Sequence, residues 1–120
     1  MAKVLVVDDS PTEVHLFTQY LQAGGHQTLT AEDGETGIAV ARSERPDLIL
    51  MDVVMPGLNG FQATRKISRD PATRDIPVVM ITTKDQDTDR EWGLRQGARA
   101  YLVKPVGQQE LLGVVDEVLG

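Results

Sequence analysis

Five short apolar runs recur along the chain: Val4-Leu5-Val6-Val7, Thr28-Leu29-Thr30-Ala31, Leu48-Ile49-Leu50-Met51, Val78-Val79-Met80-Ile81 and Ala100-Tyr101-Leu102-Val103. Each is strand-sized, and the first, third and fourth are nearly continuous, as strands buried on both faces should be. Between them apolar positions return at helical spacing, as in Val14, Phe17 and Leu21; Gly37, Val40 and Ala41; Phe61, Thr64 and Ile67; and Leu111, Val114, Val115 and Val118. Strands alternating with helices of this length predict right-handed crossovers and an α/β fold, a doubly wound five-stranded parallel sheet covered on both faces. The punctuation agrees. Asp9 or Ser10 can cap the first helix, with Pro11 at its first position and Glu13 three residues after Ser10. Gly24-Gly25 and Gly97 end the first and fourth helices, and Pro46 and Pro77 stand where strands begin.

In such a sheet the C-terminal strand ends share one edge, where open α/β folds bind ligands. Those ends carry Asp8 and Asp9 after the first strand, Asp52 after the third, Thr82 and Thr83 after the fourth, and Lys104 after the fifth. With strand order 2-1-3-4-5, the first and third strands are neighbours and three carboxylates converge. Like charges about 4 Å apart repel by about 4 kcal/mol at an effective dielectric near 20, so one lysine leaves the cluster anionic and a divalent cation relieves it. Magnesium suits it, since Mg2+ takes one or two carboxylates and keeps waters that a phosphate oxygen can displace; manganese (Mn2+) is the alternative. A carboxylate beside a metal, a lysine and a hydroxyl fits phosphoryl transfer, with Asp52 as nucleophile of an aspartyl phosphate.

Composition narrows the rest. A chain of 120 residues, 41% hydrophobic and 25% charged, can bury roughly two-thirds of its unfolded surface in one core. The absence of cysteine removes disulfides and thiol chemistry. A net charge of −6 argues against a general nucleic-acid binder, and Arg65, Lys66, Arg69 and Arg74 are expected to form a solvated face. No apolar run approaches the roughly 20 residues that would span a bilayer, and Met1-Ala2-Lys3 leads directly into a strand without room for a signal peptide. A cytoplasmic soluble domain with no membrane insertion is expected. No linker, repeat or low-complexity stretch divides the chain, and the last helix ends at Gly120, so one domain over 1–120 with no output domain is expected.

The stretches "VDDS" (7–10), "LMDVVMPGLNG" (50–60), "MITTKD" (80–85) and "YLVKPV" (101–106) resemble, in family order and across the whole chain, the receiver domain of bacterial two-component response regulators. The resemblance is nearest to stand-alone, CheY-like receivers of flavodoxin-like fold. Within these, "MPGLNGFQATR" (55–65) and "TTKDQDTDREWGLRQGARAYLVKPV" (82–106) resemble the PilH type of type IV pilus, or twitching motility, systems. It implies Asp52 as phosphoacceptor, Asp9 as a direct magnesium ligand, Asp8 as holder of a metal-bound water, and the backbone carbonyl of Val54 as a further metal contact. Lys104 would pair with the phosphoryl oxygens, aimed by a cis peptide before Pro105. Thr82 would bond the phosphoryl group in the active state, and Tyr101 would rotate with it as the switch. The resemblance also implies a CheA-like histidine kinase as donor and a target protein at the face formed by helix 4, strand 5 and helix 5. A monomer or a weak dimer through helices 4 and 5 is expected. A phosphate sink for a shared kinase, binding no output target, is the alternative; so is a receiver excised from a longer regulator. Val54 and Lys84 occupy the two positions that tune approach of the hydrolytic water, and a long-lived aspartyl phosphate is expected from this pair. A magnesium phosphohydrolase is disfavoured because such enzymes of related fold carry a second acid two residues after the nucleophile, where this chain has Val54.

Several features read as structure. Trp92 and Leu94 are expected as core or half-exposed packing on the fourth helix, although an exposed Trp there would be an interaction anchor. "DQDTDREWGLRQ" (85–96) opens like a calcium loop but has Arg90 in place of glycine and Gln96 in place of glutamate, and its acids suit a helix N-terminus instead. His15 and His26 are isolated and expected on the solvent side. No dinucleotide fingerprint, P-loop or esterase elbow is present.

Overall fold

The computed structural model describes residues 1–120. Ten elements alternate: β1 (Lys3–Val7), α1 (Pro11–Ala23), β2 (Gln27–Ala31), α2 (Gly34–Glu44), β3 (Leu48–Met51), α3 (Gly60–Arg69), β4 (Val78–Thr82), α4 (Asp87–Arg95), β5 (Ala100–Val103) and α5 (Gln108–Leu119). The five strands form one parallel sheet in the order β2-β1-β3-β4-β5. The period-two alternation of side chains divides the core between the sheet's faces. Val4, Val6, Leu48, Leu50, Val79 and Ile81 pack with Phe17 and Leu21 of α1 and Leu111 and Val115 of α5. Leu5, Val7, Ile49 and Met51 pack with Ala41 of α2 and Ala63 and Ile67 of α3. A smaller cluster of Val53, Met80, Ala98 and Tyr101 lies toward α4. The central strand β3 is buried along its whole length, as its unbroken apolar sequence requires.

Local signals fix the helix starts. Ser10 caps α1, its hydroxyl accepting from the Glu13 amide at 3.4 Å, with Pro11 at the first helical position. Asn59 and Gln62 form a reciprocal capping box at α3. At α4, Asp87 and Asp89 occupy the first turn and the Asp89 carboxylate accepts from the Gln86 amide, so these two acids serve the helix start. Gly97 ends α4 with φ of 112°, a left-handed conformation that favours glycine.

One expectation is narrowed and another changes. Trp92 and Leu94 fall on the half-exposed side of the expected range, at 48% and 46% exposure, because α4 turns Gly93 toward the sheet. A Cβ at Gly93 would stand 2.7 Å from the Met80 sulfur and 3.0 Å from the Tyr101 ring, so α4 lies close enough that any side chain there would have to displace them. His26 is half-buried, and its Nδ1 accepts from the Ala2 amide at 3.1 Å, tying the N-terminus to the start of β2. No helix is long and apolar enough to cross a membrane.

Candidate functional site

The parallel order places the ends of β1 and β3 side by side, with Val7 opposite Met51. The residues that follow each strand therefore meet: Asp8, Asp9 and Asp52 each offer a carboxylate oxygen within 4.8 Å of the others. Asp8 and Asp52 are buried, at 2% and 6% exposure, whereas Asp9 faces solvent. Backbone bonds hold the two buried acids. The Asp52 amide donates to the Val7 carbonyl at 2.9 Å, and the Asp8 amide donates to the Ala31 carbonyl at 3.1 Å. One Asp8 oxygen accepts from the Ser10 amide at 2.9 Å, so the cap of α1 also orients this carboxylate.

Lys104, at the end of β5, reaches across β4 into the cluster. Its Nζ lies 3.0 Å from Asp8 Oδ2 and 3.7 Å from Asp52 Oδ1, and its side chain is 11% exposed. The ammonium also sits 5.8 Å from the centre of the Phe17 ring, a cation–π contact that the sequence reading missed. Phe17 falls on the apolar repeat of α1, and that repeat gives no sign of a neighbour at the far end of the chain. The Lys104-Pro105 peptide is cis. The Lys104 amide donates to the Thr82 carbonyl at 2.8 Å, which fixes the end of β5 against β4.

Asp52 titrates well above an ordinary carboxylate, at about 6. Burial is the main cause, followed by the charge of Asp8; Lys104 and the Val53 amide oppose the rise. Its Oδ1 accepts from the Val53 amide at 2.8 Å and faces Lys104, and no hydrogen bond engages the second oxygen. The donor set is all oxygen, hard and anionic, the chemistry that magnesium prefers, and one ammonium does not neutralise three acids. The loop after Asp52 is pressed against it. A Cβ at Gly60 would lie 2.0 Å from the Asp52 carbonyl oxygen, so only glycine permits α3 to begin there. The glycine is visible in "LNG" (58–60); its reason is not.

The remaining predicted residues divide between two places. Thr82 is fully buried at the end of β4, with its hydroxyl accepting from the Lys84 amide at 3.3 Å. Tyr101 is buried, its ring lies inward against Gly93, and its hydroxyl donates to the Lys84 carbonyl at 2.8 Å. Burial, and then the charge of Asp89, pushes the phenol up to about 12, so it remains a donor at all ordinary pH. Arg90 adds a contact no motif suggested: its guanidinium lies 5.5 Å from the centre of the Tyr101 ring and donates to the Tyr101 carbonyl at 3.2 Å. Val54 projects outward with 56% exposure, and the Lys84 ammonium stands 3.8 Å from Asp89.

Comparison with known proteins points the same way as the geometry. The chain is 58% identical to Protein PilH of Pseudomonas aeruginosa over 119 residues, which cover 99% of this chain and 98% of that one. Its fold matches the chemotaxis protein CheY4 of Vibrio cholerae with a TM-score of 0.92 at 35% identity, covering 98% of both chains. It also matches the receiver domain of a sensor histidine kinase from Pseudomonas aeruginosa, solved with a magnesium ion coordinated in the active-site cleft, with a TM-score of 0.92 at 31% identity, covering 99% of this chain and 98% of that one. Residues 4–116 match the response regulator receiver domain. The chain belongs to the response regulator receiver domain family, a family of signalling modules, and is CheY-like in fold.

Proposed function

We propose that this receiver accepts a phosphoryl group on Asp52 from the phosphohistidine of a CheA-like histidine kinase, with Mg2+ bound at the acid cluster. One observation carries the reading: Asp8, Asp9 and Asp52 converge within 4.8 Å at the strand ends, and the part-buried Lys104 ammonium lies 3.7 Å from the Asp52 oxygen. The free carboxylate oxygen of Asp52 attacks phosphorus, the P–N bond of the phosphohistidine breaks, and the imidazole leaves with the electron pair. Asp9, Asp52 and the carbonyl of Val54 would hold the metal directly and Asp8 a metal-bound water. Bound there, Mg2+ would neutralise the charge gathering on the transferred oxygens. Lys104 pairs with one phosphoryl oxygen while Asp8 anchors its ammonium, and the Thr82 hydroxyl donates to another. Hydrolysis reverses the charge state: water attacks phosphorus and the Asp52 carboxylate leaves. The chain is thus a phosphoacceptor and not a turnover enzyme on external substrates.

The output we assign is phosphorylation-dependent binding at the α4–β5–α5 face, with Thr82 and Tyr101 as the switch. The half-exposed Trp92 and Leu94 on α4 favour a target protein over a pure phosphate sink, since aromatic anchors concentrate binding energy. Near full-length similarity to PilH supports a stand-alone cytoplasmic module in pilus-based motility. The test is intact-mass measurement after incubation with magnesium and a small acyl-phosphate donor. The wild-type chain should gain one phosphoryl group; Asp52→Asn, or removal of magnesium, should abolish the gain. A wild type that gains nothing, or an Asp52→Asn chain that gains it equally, overturns the reading.

A further inference from the structure

A groove of about 750 Å³ lies away from the acid cluster, between α2 and α3. Its apolar lining is Ile38 and Leu58, and Arg42, Arg65, Lys66 and Arg69 stand around it. Arg42 is paired with Asp70, but Arg65, Lys66 and Arg69 are exposed and none takes part in the chain's ion pairs. Three free cations on one turn of one helix are notable in a chain of net charge −6, where an acid partner is statistically easy to find. Arg65 and Arg69 are i and i+4 neighbours with about 6 Å between their Cβ atoms, so their heads can engage separate carboxylates. None of Asp8, Asp9, Asp52 or Lys104 lines the groove.

We propose that the α2–α3 groove docks an acidic segment of a partner protein, with an apolar side chain seated on Ile38 and Leu58 and spaced carboxylates on Arg65, Lys66 and Arg69. The anions at the groove decide between occupants. Glu35 at the α2 side and Asp70 beside Pro71 are also part of the lining. Together with the net charge of the whole chain they repel a dense, continuous polyanion such as a nucleic acid. A peptide whose acids flank an apolar residue can avoid both carboxylates and still bury the groove's apolar surface. Leu58 belongs to the loop that follows Asp52, so this surface adjoins the phosphoacceptor loop without sharing its chemistry.

The experiment is a titration of the isotope-labelled full chain, followed by amide NMR shifts at low salt, with a short blocked peptide carrying glutamates around a central leucine. Saturable shifts confined to α2 and to residues 58–71 are expected. The triple variant Arg65→Glu, Lys66→Glu, Arg69→Glu should weaken binding by about tenfold or more, the sum of three exposed ion pairs. A lysine version of the peptide should then bind the triple variant better than it binds the wild type. Circular dichroism and a cooperative melt confirm that the variant folds, and the milder pair Arg65→Gln, Arg69→Gln gives the same direction if it does not. The proposal fails if no saturable shifts occur, if they centre on α4 or α5, or if the triple variant binds equally. It also fails if a glutamine peptide binds as well, or if an oligonucleotide of equal charge binds more tightly at the same residues.

Discussion

Asp52 and Tyr101 stand on the same sheet with only β4 between their strands, yet different kinds of contact hold them. Asp52 is fixed through its backbone: its amide bonds to β1, buried Met51 and Val53 flank it, and Gly60 is pressed against its carbonyl. The backbone of Tyr101 pairs with β4 opposite Met80, but its hydroxyl and one ring face are held by an exposed segment, through the Lys84 carbonyl and the Arg90 guanidinium. Backbone buried among strands opens only with the whole fold, whereas a few polar bonds to an exposed loop open locally at low free-energy cost. The first kind of support suits the nucleophile proposed at Asp52, and the second suits the switch proposed at Tyr101.

Two glycines test this difference most strongly. An added Cβ at Gly60 meets backbone, the Asp52 carbonyl oxygen at 2.0 Å and the Val53 Cα at 2.7 Å, and neither can swing aside. At Gly93 it meets the Met80 sulfur and the Tyr101 ring, which can rotate. Gly60→Ala should therefore cost about 3 kcal/mol or more, and Gly93→Ala about 1 kcal/mol, by urea unfolding. Gly60→Ala should also lose phosphoryl uptake. Equal costs at the two positions would refute the contrast.

The next effect has the opposite sign. The folded state holds the Asp52 proton to about pH 6, against 3.8 for the ordinary group, so folding favours the neutral acid. The native state then binds more protons than the unfolded one, and stability falls as pH rises from about 4 to 6. At pH 7 the full cost is present, about 1 to 2 kcal/mol once solvent screening at the sheet edge is allowed for. Asp52→Asn should recover most of it in metal-free protein at pH 7 and little below pH 4, by thermal unfolding at the two values. Magnesium should stabilise the wild type more than the variant. A variant no more stable than the wild type at pH 7 would show that Lys104 already offsets the burial.

The acid cluster was legible because strand periodicity fixes which residues end each strand, and parallel order then brings Asp8, Asp9, Asp52 and Lys104 to one edge. Thr82 was legible as a strand-end hydroxyl in the same way; its switch role and Tyr101 came from family motifs, and the neighbours of Tyr101 came from neither. Arg90 reads as an ordinary helix arginine, and only the close approach of α4 at Gly93 places it over the Tyr101 ring. Trp92 reads as core or half-exposed packing, with an exposed interaction anchor as the alternative, and nothing local decides between them. Its exposure follows from Gly93 taking the inward position, a three-dimensional fact without a local signature. The groove basics likewise read as a solvated face until α2 and α3 are set side by side.

Tyr101→Phe is a smaller test on the switch side. It removes the donor to the Lys84 carbonyl at 2.8 Å and leaves the ring against Gly93. The loss should be about 1 kcal/mol, the worth of one neutral hydrogen bond. Hydrogen exchange should speed at residues 84–88 and stay unchanged at Asp52 and Val53. Spread of the faster exchange to β3 would mean that the two regions are one cooperative unit.

The smallest effect on stability and the most informative on timing lies at Val54 and Lys84. Both are exposed, so Val54→Asn with Lys84→Glu should change stability by no more than about 0.5 kcal/mol. Apolar Val54 cannot orient a hydrolytic water, whereas asparagine can, so the double variant should lose its phosphoryl group faster than the wild type. Intact-mass decay after removal of the donor measures this. The structure divides the effect between the two positions. Lys84 directs its ammonium to Asp89 at 3.8 Å, so most of the acceleration should come from Val54→Asn alone. If Lys84→Glu alone matches the double variant, Lys84 must leave Asp89 and cover the phosphoryl group once Asp52 is modified, and the mobile side of the sheet edge would then control the lifetime set on the rigid one.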